Sequence, residues 1–249
     1  MINNKKEYLK MDEVESKHWW YVSLHYLTLK AIQNKFNFLD VSILDAGCGT
    51  GGLLSFLKRK KYHVLQGFDV SNEAVNIAKS KEINVKAGDL KQYKFNGIFY
   101  DVIVSNDTMY FFNLKEQKSI LSEFHKSLNV NGVVILNLPS FNIFKGIHDR
   151  AVGIQKRFDR KMVIKMIDRS KYEIVEKVYW PFLLSPIIFL IRFLQKIQLK
   201  INKRVKIESD ISLPPIFINN LLVRLVNFEN KFLPFKPFGS SLFLVIKKI

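Results

Sequence analysis

The strongest constraint on the fold is a regular alternation of short apolar runs and helical patterns between residues 41 and 138. Runs such as VSILDA and YDVIVS have the length and composition of buried strands. Parallel strands need crossover connections, usually helices, so this alternation predicts a parallel sheet with helices on both faces. The chain is therefore expected to be an α/β protein.

The pattern can be divided into elements along the chain. Ser71 is expected to cap the predicted helix at 71–80 by its side chain. After Pro139 the regularity weakens, and an apolar helical region separates the last two predicted strands. We predict strands at 41–46, 63–68, around 85, 100–105, 132–138, 172–179 and 241–247, and helices at 19–36, 53–60, 71–80, 114–128, 160–169, 180–203 and 213–233, with a loose lead-in at 12–17.

A glycine-rich turn follows the first predicted strand. Residues 44–52 read LDAGCGTGG, in which Gly47, Gly49 and Gly52 satisfy G-x-G-x-x-G between a strand and a helix. Glycines let the backbone turn tightly and bring its N–H groups against a ligand at a helix N-terminus. The motif predicts a cofactor site, but dinucleotide-binding enzymes use the same arrangement.

Three acidic residues come at the ends of the first three predicted strands. They are Asp45, Asp69 and Asp89. The carboxyl ends of the strands in a doubly wound sheet line one crevice, so we expect these residues to meet there. Asp69 is placed to accept hydrogen bonds from the hydroxyls of a ribose, and Asp89 from an exocyclic amine.

With this loop and these acids, residues 42–137 resemble the core of class I S-adenosylmethionine-dependent methyltransferases of the type-11/12 small-molecule kind. The resemblance implies a Rossmann-like sheet of seven strands with an antiparallel last strand, matched by SLFLVIK at 241–247. It also implies S-adenosylmethionine as the cofactor, and we expect no metal. The cofactor-binding residues it implies are Asp45, Gly47, Cys48, Gly49, Gly51, Asp69, Val70, Asp89, Leu90 and Asn106.

The resemblance also suggests how the chain is divided. We expect one methyltransferase domain over residues 1–249, with a helical cap over 1–40 and the cofactor-binding core over 41–140. Residues 141–249 are then substrate-side elements, with a helical insertion at about 180–239.

The flanks resemble a narrower bacterial subgroup. Its N-terminal E-x-x-H-W-W-aromatic segment is matched at residues 15–21, and its later H-D pair and basic-aromatic stretch at 148–149 and 156–159. The arginine-rich run that follows the first element in that subgroup is replaced here by VSLH at 22–25.

Catalytic candidates follow from the chemistry that the resemblance implies. Methyl transfer from a sulfonium is an in-line displacement in which the enzyme mainly aligns the nucleophile, with a base if that nucleophile carries a proton. We therefore predict His18, His148 and Asp107 as catalytic residues. Asp149 either orients His148 or caps a turn, and Trp20 is either a core anchor or part of an aromatic lid over the cofactor.

Charge and apolar residues concentrate in the second half of the chain. The net charge is +17, and residues 145–206 contain 16 Lys and Arg against five acidic residues. Bulky apolar residues alternate there with basic ones at helical spacing, as in helices that lie in an anionic membrane interface. Alternatively, these helices cap the sheet and line an apolar pocket. Both interpretations favour a small-molecule or lipid-like, amphiphilic methyl acceptor.

The sequence also predicts where the protein is located and leaves other functions open. No signal-like or membrane-spanning run is apparent, so we expect a cytoplasmic protein, peripheral on the inner face of the membrane. The alternatives are an RNA-directed methyltransferase, an NAD(P)-dependent oxidoreductase, and a scaffold that binds the cofactor without turnover. Nucleic acid is the less favoured substrate, because the one cysteine lies in the glycine loop and no N/D-P-P-Y/F motif follows the fourth strand.

Overall fold

The computed structural model describes residues 5–201, 209 and 211–249, and it contains one seven-stranded sheet. The strands are β1 (Ile43–Ala46), β2 (Leu65–Asp69), β3 (Val85–Ala87), β4 (Tyr100–Asn106), β5 (Leu128–Pro139), β6 (Tyr172–Trp180) and β7 (Ser241–Lys248). Their order is β3-β2-β1-β4-β5-β7-β6, and β7 runs antiparallel to both its neighbours. This confirms the predicted Rossmann-like sheet with an antiparallel last strand.

Helices cover both faces of the sheet. They are α1 (Lys5–Glu15), α2 (Trp19–Lys35), α3 (Gly52–Arg59), α4 (Asn72–Ser80), α5 (Leu114–Lys126), α6 (Ile147–Ala151), α7 (Arg160–Met166), α8 (Ser185–Ile201) and α9 (Ile216–Phe232). Ser71 caps α4 as predicted, since its hydroxyl accepts a hydrogen bond from the N–H of Ala74.

The sheet separates two apolar cores. Every residue of β1 is buried, as expected for a central parallel strand that is covered on both faces. One core contains Leu54 of α3 and Ile32 of α2, and the other contains Phe124 of α5 and Met166 of α7. The strands are thereby held rigidly, and their carboxyl ends form a fixed edge.

The N-terminus differs from the prediction of a loose lead-in at residues 12–17. The structure has a regular helix, α1, that continues to Glu15. Its sequence is polar and lacks a helical apolar stripe, so the helix depends on tertiary contacts. Tyr8 and Glu15 are buried, and Asp12 forms an ion pair with Lys81 at the end of α4.

The predicted helical insertion between the last two strands is present as α8 and α9. Residues 202 and 203, the end of the predicted helix 180–203, lie outside the described residues. The Asn219 side chain of α9 accepts a hydrogen bond from the N–H of Trp19 at 2.8 Å and donates one to the carbonyl of Lys17 at 2.9 Å. The insertion therefore fixes the start of α2. Among the described helices, none is long and apolar enough to cross a membrane.

Candidate active site at the carboxyl edge of the sheet

A cavity of about 430 Å³ lies at the carboxyl ends of β1, β2 and β4 and is walled by residues of α1, α2, α6 and α8. In open α/β sheets this edge is the usual place for a ligand. The structure brings nearly all of the predicted site residues together here. The cavity is lined by His18, Trp20, Asp45, Gly47, Cys48, Gly49, Asp69, Val70, Asp89, Leu90, Asn106, Asp107 and His148.

Gly51 is the predicted cofactor residue that does not line this cavity. It precedes α3 with a φ of +78°, and a Cβ at this position would lie 3.0 Å from the Cβ of Ala78 in α4. A side chain would therefore be strained by its backbone conformation and tightly packed against the neighbouring helix. Gly51 therefore contributes to the conformation and packing of the loop and does not line the cavity.

At the end of the cavity formed by the glycine loop, backbone donors hold the side chain of Asp69. One carboxylate oxygen accepts a hydrogen bond from the N–H of Gly49 and the other from the N–H of Ser71, both at 2.9 Å. Gly47 has a φ of +89°, and a Cβ there would lie 2.5 Å from the Thr108 side chain. The loop and the acid at the end of β2 therefore form one unit with a fixed geometry.

This end of the cavity is strongly acidic. Burial raises the pKa of Asp45 well above its usual value, and the carboxylates of Glu15 and Asp69 raise it further. Burial likewise raises the pKa of Asp69. Crowded, poorly solvated carboxylates are stabilised by a nearby cation, so this end favours a positively charged ligand group.

Glu15 is a member of this group that sequence reasoning did not assign to the site. Burial raises its pKa to about 7, although its carboxylate accepts a 2.6 Å hydrogen bond from the hydroxyl of Thr50. Tyr8 and Met11 of α1 also line the cavity. The E-x-x-H segment that begins at Glu15 was the sequence signal that could have assigned this residue to the site. The polar sequence of α1, however, did not indicate that the helix packs over the glycine loop.

A second group of polar side chains in the cavity is organised around Asp107. This residue has a φ of +53°, and its N–H donates to the carbonyl of Asn137 at 2.9 Å. The amide of Asn137 donates to the Asp107 carboxylate and accepts from the indole N–H of Trp180, each at 2.9 Å. Burial raises the pKa of Asp107 to about 7, a suitable range for taking a proton at neutral pH.

Further polar groups lie near Asp107. The buried Oδ1 atom of Asn106 has no hydrogen-bond partner among the described residues. Burial, together with the nearby Asp107 carboxylate, raises the pKa of Tyr21 and of Tyr110. Both hydroxyls therefore stay protonated and can donate hydrogen bonds to a ligand.

The histidines that line the cavity differ in their surroundings. His18 caps α2, since its Nδ1 atom accepts a hydrogen bond from the N–H of Trp20 at 3.3 Å. His148 lies on α6. His25, which was not predicted as a site residue, also lines the cavity, and burial lowers its pKa to about 3, which leaves it neutral.

Asp149 holds a buried ion pair behind the cavity wall. Its carboxylate accepts from the guanidinium of Arg157 at 2.6 and 3.0 Å, and from the N–H of Gly146 at 3.0 Å. Of the two roles considered for Asp149, these contacts show the cap, at the start of α6. Arg157, whose own side chain lines the cavity, joins the predicted H-D pair to the basic-aromatic stretch.

Trp20 is both a packing residue and part of the wall. Its ring stacks on Trp180 with the centroids 5.5 Å apart, and it also lines the cavity. The two predicted roles, core anchor and aromatic cover, are therefore compatible in this geometry.

The core of the chain matches a known family. Residues 43–132 match the model of a methyltransferase domain. This segment is a methyltransferase domain, in line with the resemblance of residues 42–137 to class I S-adenosylmethionine-dependent methyltransferases. The match favours this interpretation of the glycine loop over that of an NAD(P)-dependent oxidoreductase.

Curated relatives are similar to this methyltransferase domain over part of their length. The chain is 31% identical over 104 residues to carboxy-S-adenosyl-L-methionine synthase of Campylobacter jejuni, covering 40% of this chain and 44% of that protein. It is 27% identical over 129 residues to malonyl-[acyl-carrier protein] O-methyltransferase of Priestia megaterium, covering 50% and 46%. The chain thus matches under half the length of each of these two relatives.

Solved structures show the same fold over most of the chain. A methyltransferase from Clostridium acetobutylicum superposes with a TM-score of 0.58 at 13% identity, covering 91% of both chains. Magnesium protoporphyrin IX methyltransferase from Synechocystis superposes with a TM-score of 0.55 at 14% identity, covering 92% of this chain and 85% of that one. At these identities the likeness establishes the fold.

Proposed function

We propose that this chain transfers a methyl group from S-adenosylmethionine to an amphiphilic, lipid-like small molecule. The observation that carries the proposal is the two-ended cavity, in which an acidic end at the glycine loop continues into a wall that contains Ile188 and Ile191 of α8. The matched methyltransferase domain at 43–132 supports the reaction class. When bound, the cofactor supplies an electrophilic methyl group on a sulfonium.

The residues at the acidic end fit this cofactor. Its ammonium and sulfonium groups are cationic, which suits the buried carboxyls of Asp45, Asp69 and Glu15. Asp69 would hold the ribose hydroxyls, while Asp89, with Val70 and Leu90, would face the nucleoside. The buried Oδ1 of Asn106, which has no hydrogen-bond partner within the described part of the chain, offers a further acceptor atom.

Around Asp107, Asn137 and Trp180, in the part of the cavity that we call the acceptor end, Asp107 is the group that would take a proton from an acceptor hydroxyl or similar nucleophile. Its carboxylate has a raised pKa of about 7, so it is partly ionised at neutral pH, and Asn137 fixes its orientation. His18 and His148 line the same cavity and would orient the acceptor. The hydroxyls of Tyr21 and Tyr110 would donate hydrogen bonds to it.

The remaining expectations belong to this proposal. We place the protein in the cytoplasm, in peripheral contact with an anionic membrane from which it takes its acceptor. In this arrangement residues 1–40 form a cap, 41–140 bind the cofactor, and 141–249 select the acceptor. The exposed apolar residues of α8 support this contact.

The test is transfer of a labelled methyl group. Purified protein is incubated with methyl-labelled S-adenosylmethionine and a bacterial extract, which is then divided into organic-soluble, RNA, protein and polar fractions. Label in the organic fraction is the expected result. Label in RNA would overturn the acceptor class, and label in no fraction, with cofactor binding intact, would indicate a scaffold without turnover.

Two controls sharpen this experiment. Asp107→Asn keeps the shape of the side chain and removes its proton-accepting carboxylate, so it should bind S-adenosylhomocysteine normally yet lose most transfer. Mass spectrometry of the cofactor pool will reveal whether the cofactor itself is modified, which would instead align this chain with its carboxy-S-adenosylmethionine synthase relatives.

A further inference from the structure

Helix α8 has an apolar outer face. Ile187, Leu190 and Leu194 are 59%, 55% and 54% exposed, and they fall on one side of the helix at i, i+3 and i+7 spacing. Phe193, Ile197 and Ile201 are also exposed, and they extend the same side toward the end of the helix. A surface helix normally has the opposite arrangement, with its apolar stripe buried and its polar side in water.

Polar groups on the other side attach α8 to the rest of the protein. The side-chain oxygen of Gln195 accepts a hydrogen bond from the N–H of Ile147 on α6 at 3.2 Å, and Arg192 of the same helix α8 also donates to this oxygen at 3.0 Å. Lys196 donates to the carbonyl of Ile143 at 3.0 Å. These contacts define which way the helix faces, and they leave the apolar side outward.

The same helix also forms part of the cavity wall. Ile188, Ile191 and Arg192 line the cavity, while their neighbours Ile187 and Leu190 are exposed. The outer apolar face is thus one side chain away from the acceptor end. An amphiphile that leaves a lipid surface along α8 would reach the cavity without crossing water.

Charge distinguishes between the partners that could cover such a face. Residues 145–206 carry 16 basic against five acidic residues, and Lys200 follows the apolar face on α8 itself. A second copy of this chain, with its net charge of +17, would repel this surface. An anionic bilayer supplies both an apolar layer and negative headgroups.

We propose that the outer face of α8, defined as Ile187, Leu190, Phe193, Leu194, Ile197 and Ile201, docks on an anionic lipid bilayer and lies in its interface. This deepens the proposed function by naming the surface through which a lipid-like acceptor enters. Docking itself does not require turnover, so it can be tested separately from methyl transfer.

The experiment is co-sedimentation of the full chain with vesicles of phosphatidylcholine containing 0 or about 30% phosphatidylglycerol. The test variant carries Ile187→Gln, Leu190→Gln and Leu194→Gln, none of which lines the cavity. The matched control carries Val64→Gln, Ile98→Gln and Val130→Gln, which are exposed apolar residues elsewhere on the surface. Binding of S-adenosylhomocysteine by calorimetry reports on the cofactor site of each.

We expect the wild type and the control to bind anionic vesicles and the test variant to bind at least about tenfold more weakly, since three apolar contacts are lost. All three should bind S-adenosylhomocysteine equally. Equal vesicle binding by the test variant, or binding that ignores phosphatidylglycerol, would overturn the proposal. The proposal would also be overturned if the wild type formed a dimer that did not bind vesicles and the three substitutions of the test variant dissociated that dimer. Failure of cofactor binding would count against the proposed function and leave the docking result intact.

Discussion

The two ends of the cavity are built in different ways. Apart from Glu15, the acidic end comes from a short continuous segment, since Asp45, the glycine loop and Asp69 lie on or between neighbouring strands and are held by backbone hydrogen bonds. The acceptor end combines Asp107, Asn137 and Trp180 through hydrogen bonds between side chains that are distant in sequence. Strand order fixes the first end, whereas the second depends on particular side-chain pairs and can therefore change with the acceptor.

The largest expected effect on stability comes from breaking the buried ion pair behind the acceptor end. Arg157→Ala leaves the fully buried Asp149 carboxylate without its bidentate partner. Removing one member of a buried pair typically costs about 3–5 kcal/mol, so we expect a loss of that size in the free energy of unfolding. Urea denaturation measures it.

A surface pair serves as the matched control for that variant. Lys126 and Glu123 are both well exposed, and Lys126→Ala should change stability by less than about 1 kcal/mol. If the two variants were equally stable, the Arg157–Asp149 pair would not hold the acceptor end together. Arg157→Ala protein that is still folded should bind S-adenosylhomocysteine normally, because the acidic end does not use this pair.

The same difference explains what the sequence could predict. The alternation of strands and helices predicts a parallel sheet, and the carboxyl ends of parallel strands lie at one edge. The positions of Asp45, Asp69 and Asp89 at that edge were therefore predictable. The pairing of Asn137 with Asp107 was not, because it depends on the register of β5 against β4, which the local sequence pattern does not specify. Likewise, the periodicity of α8 showed that it is amphipathic, but only its contacts through Gln195 show that the apolar side faces outward.

α1 shows a different limit of sequence reasoning. Its residues have no apolar stripe, so periodicity could not distinguish a packed helix from a loose segment. The packing depends on Glu15 reaching Thr50 and on Asp12 reaching Lys81, both of which are long-range contacts. The acidic end was therefore predicted without one of its three buried carboxyls.

The acidic end is tested most directly by Asp69→Ala. Two hydrogen bonds from a ribose diol to a charged acceptor would be lost, worth about 1.5–3 kcal/mol, or tenfold or more in affinity. Calorimetry with S-adenosylhomocysteine measures this change. The companion variant Asp107→Ala, at the other end, should leave the same affinity within about twofold. Unchanged binding by Asp69→Ala would remove the ribose assignment.

The smallest effect concerns Glu15 and is seen in the pH dependence of stability. The folded protein holds a proton on Glu15 up to about pH 7, whereas the unfolded chain loses it near the ordinary value of 4.5. Between these values the folded state binds more protons, so the contribution of Glu15 makes stability fall as pH rises from about 4.5 to 7, and it is constant above.

Glu15→Gln removes this titration and keeps an oxygen for the Thr50 hydroxyl. One pKa unit corresponds to about 1.4 kcal/mol, so we expect the variant to gain at least about 1 kcal/mol relative to wild type between pH 4.5 and pH 8. Thermal unfolding at both pH values measures the difference. A cationic cofactor analogue should reduce this gain, because it stabilises the ionised carboxyl that the variant lacks. If the stability difference between Glu15→Gln and wild type were the same at pH 4.5 and pH 8, Glu15 would not be held in its neutral form. The acidic end would then have only Asp45 and Asp69 to attract a cation.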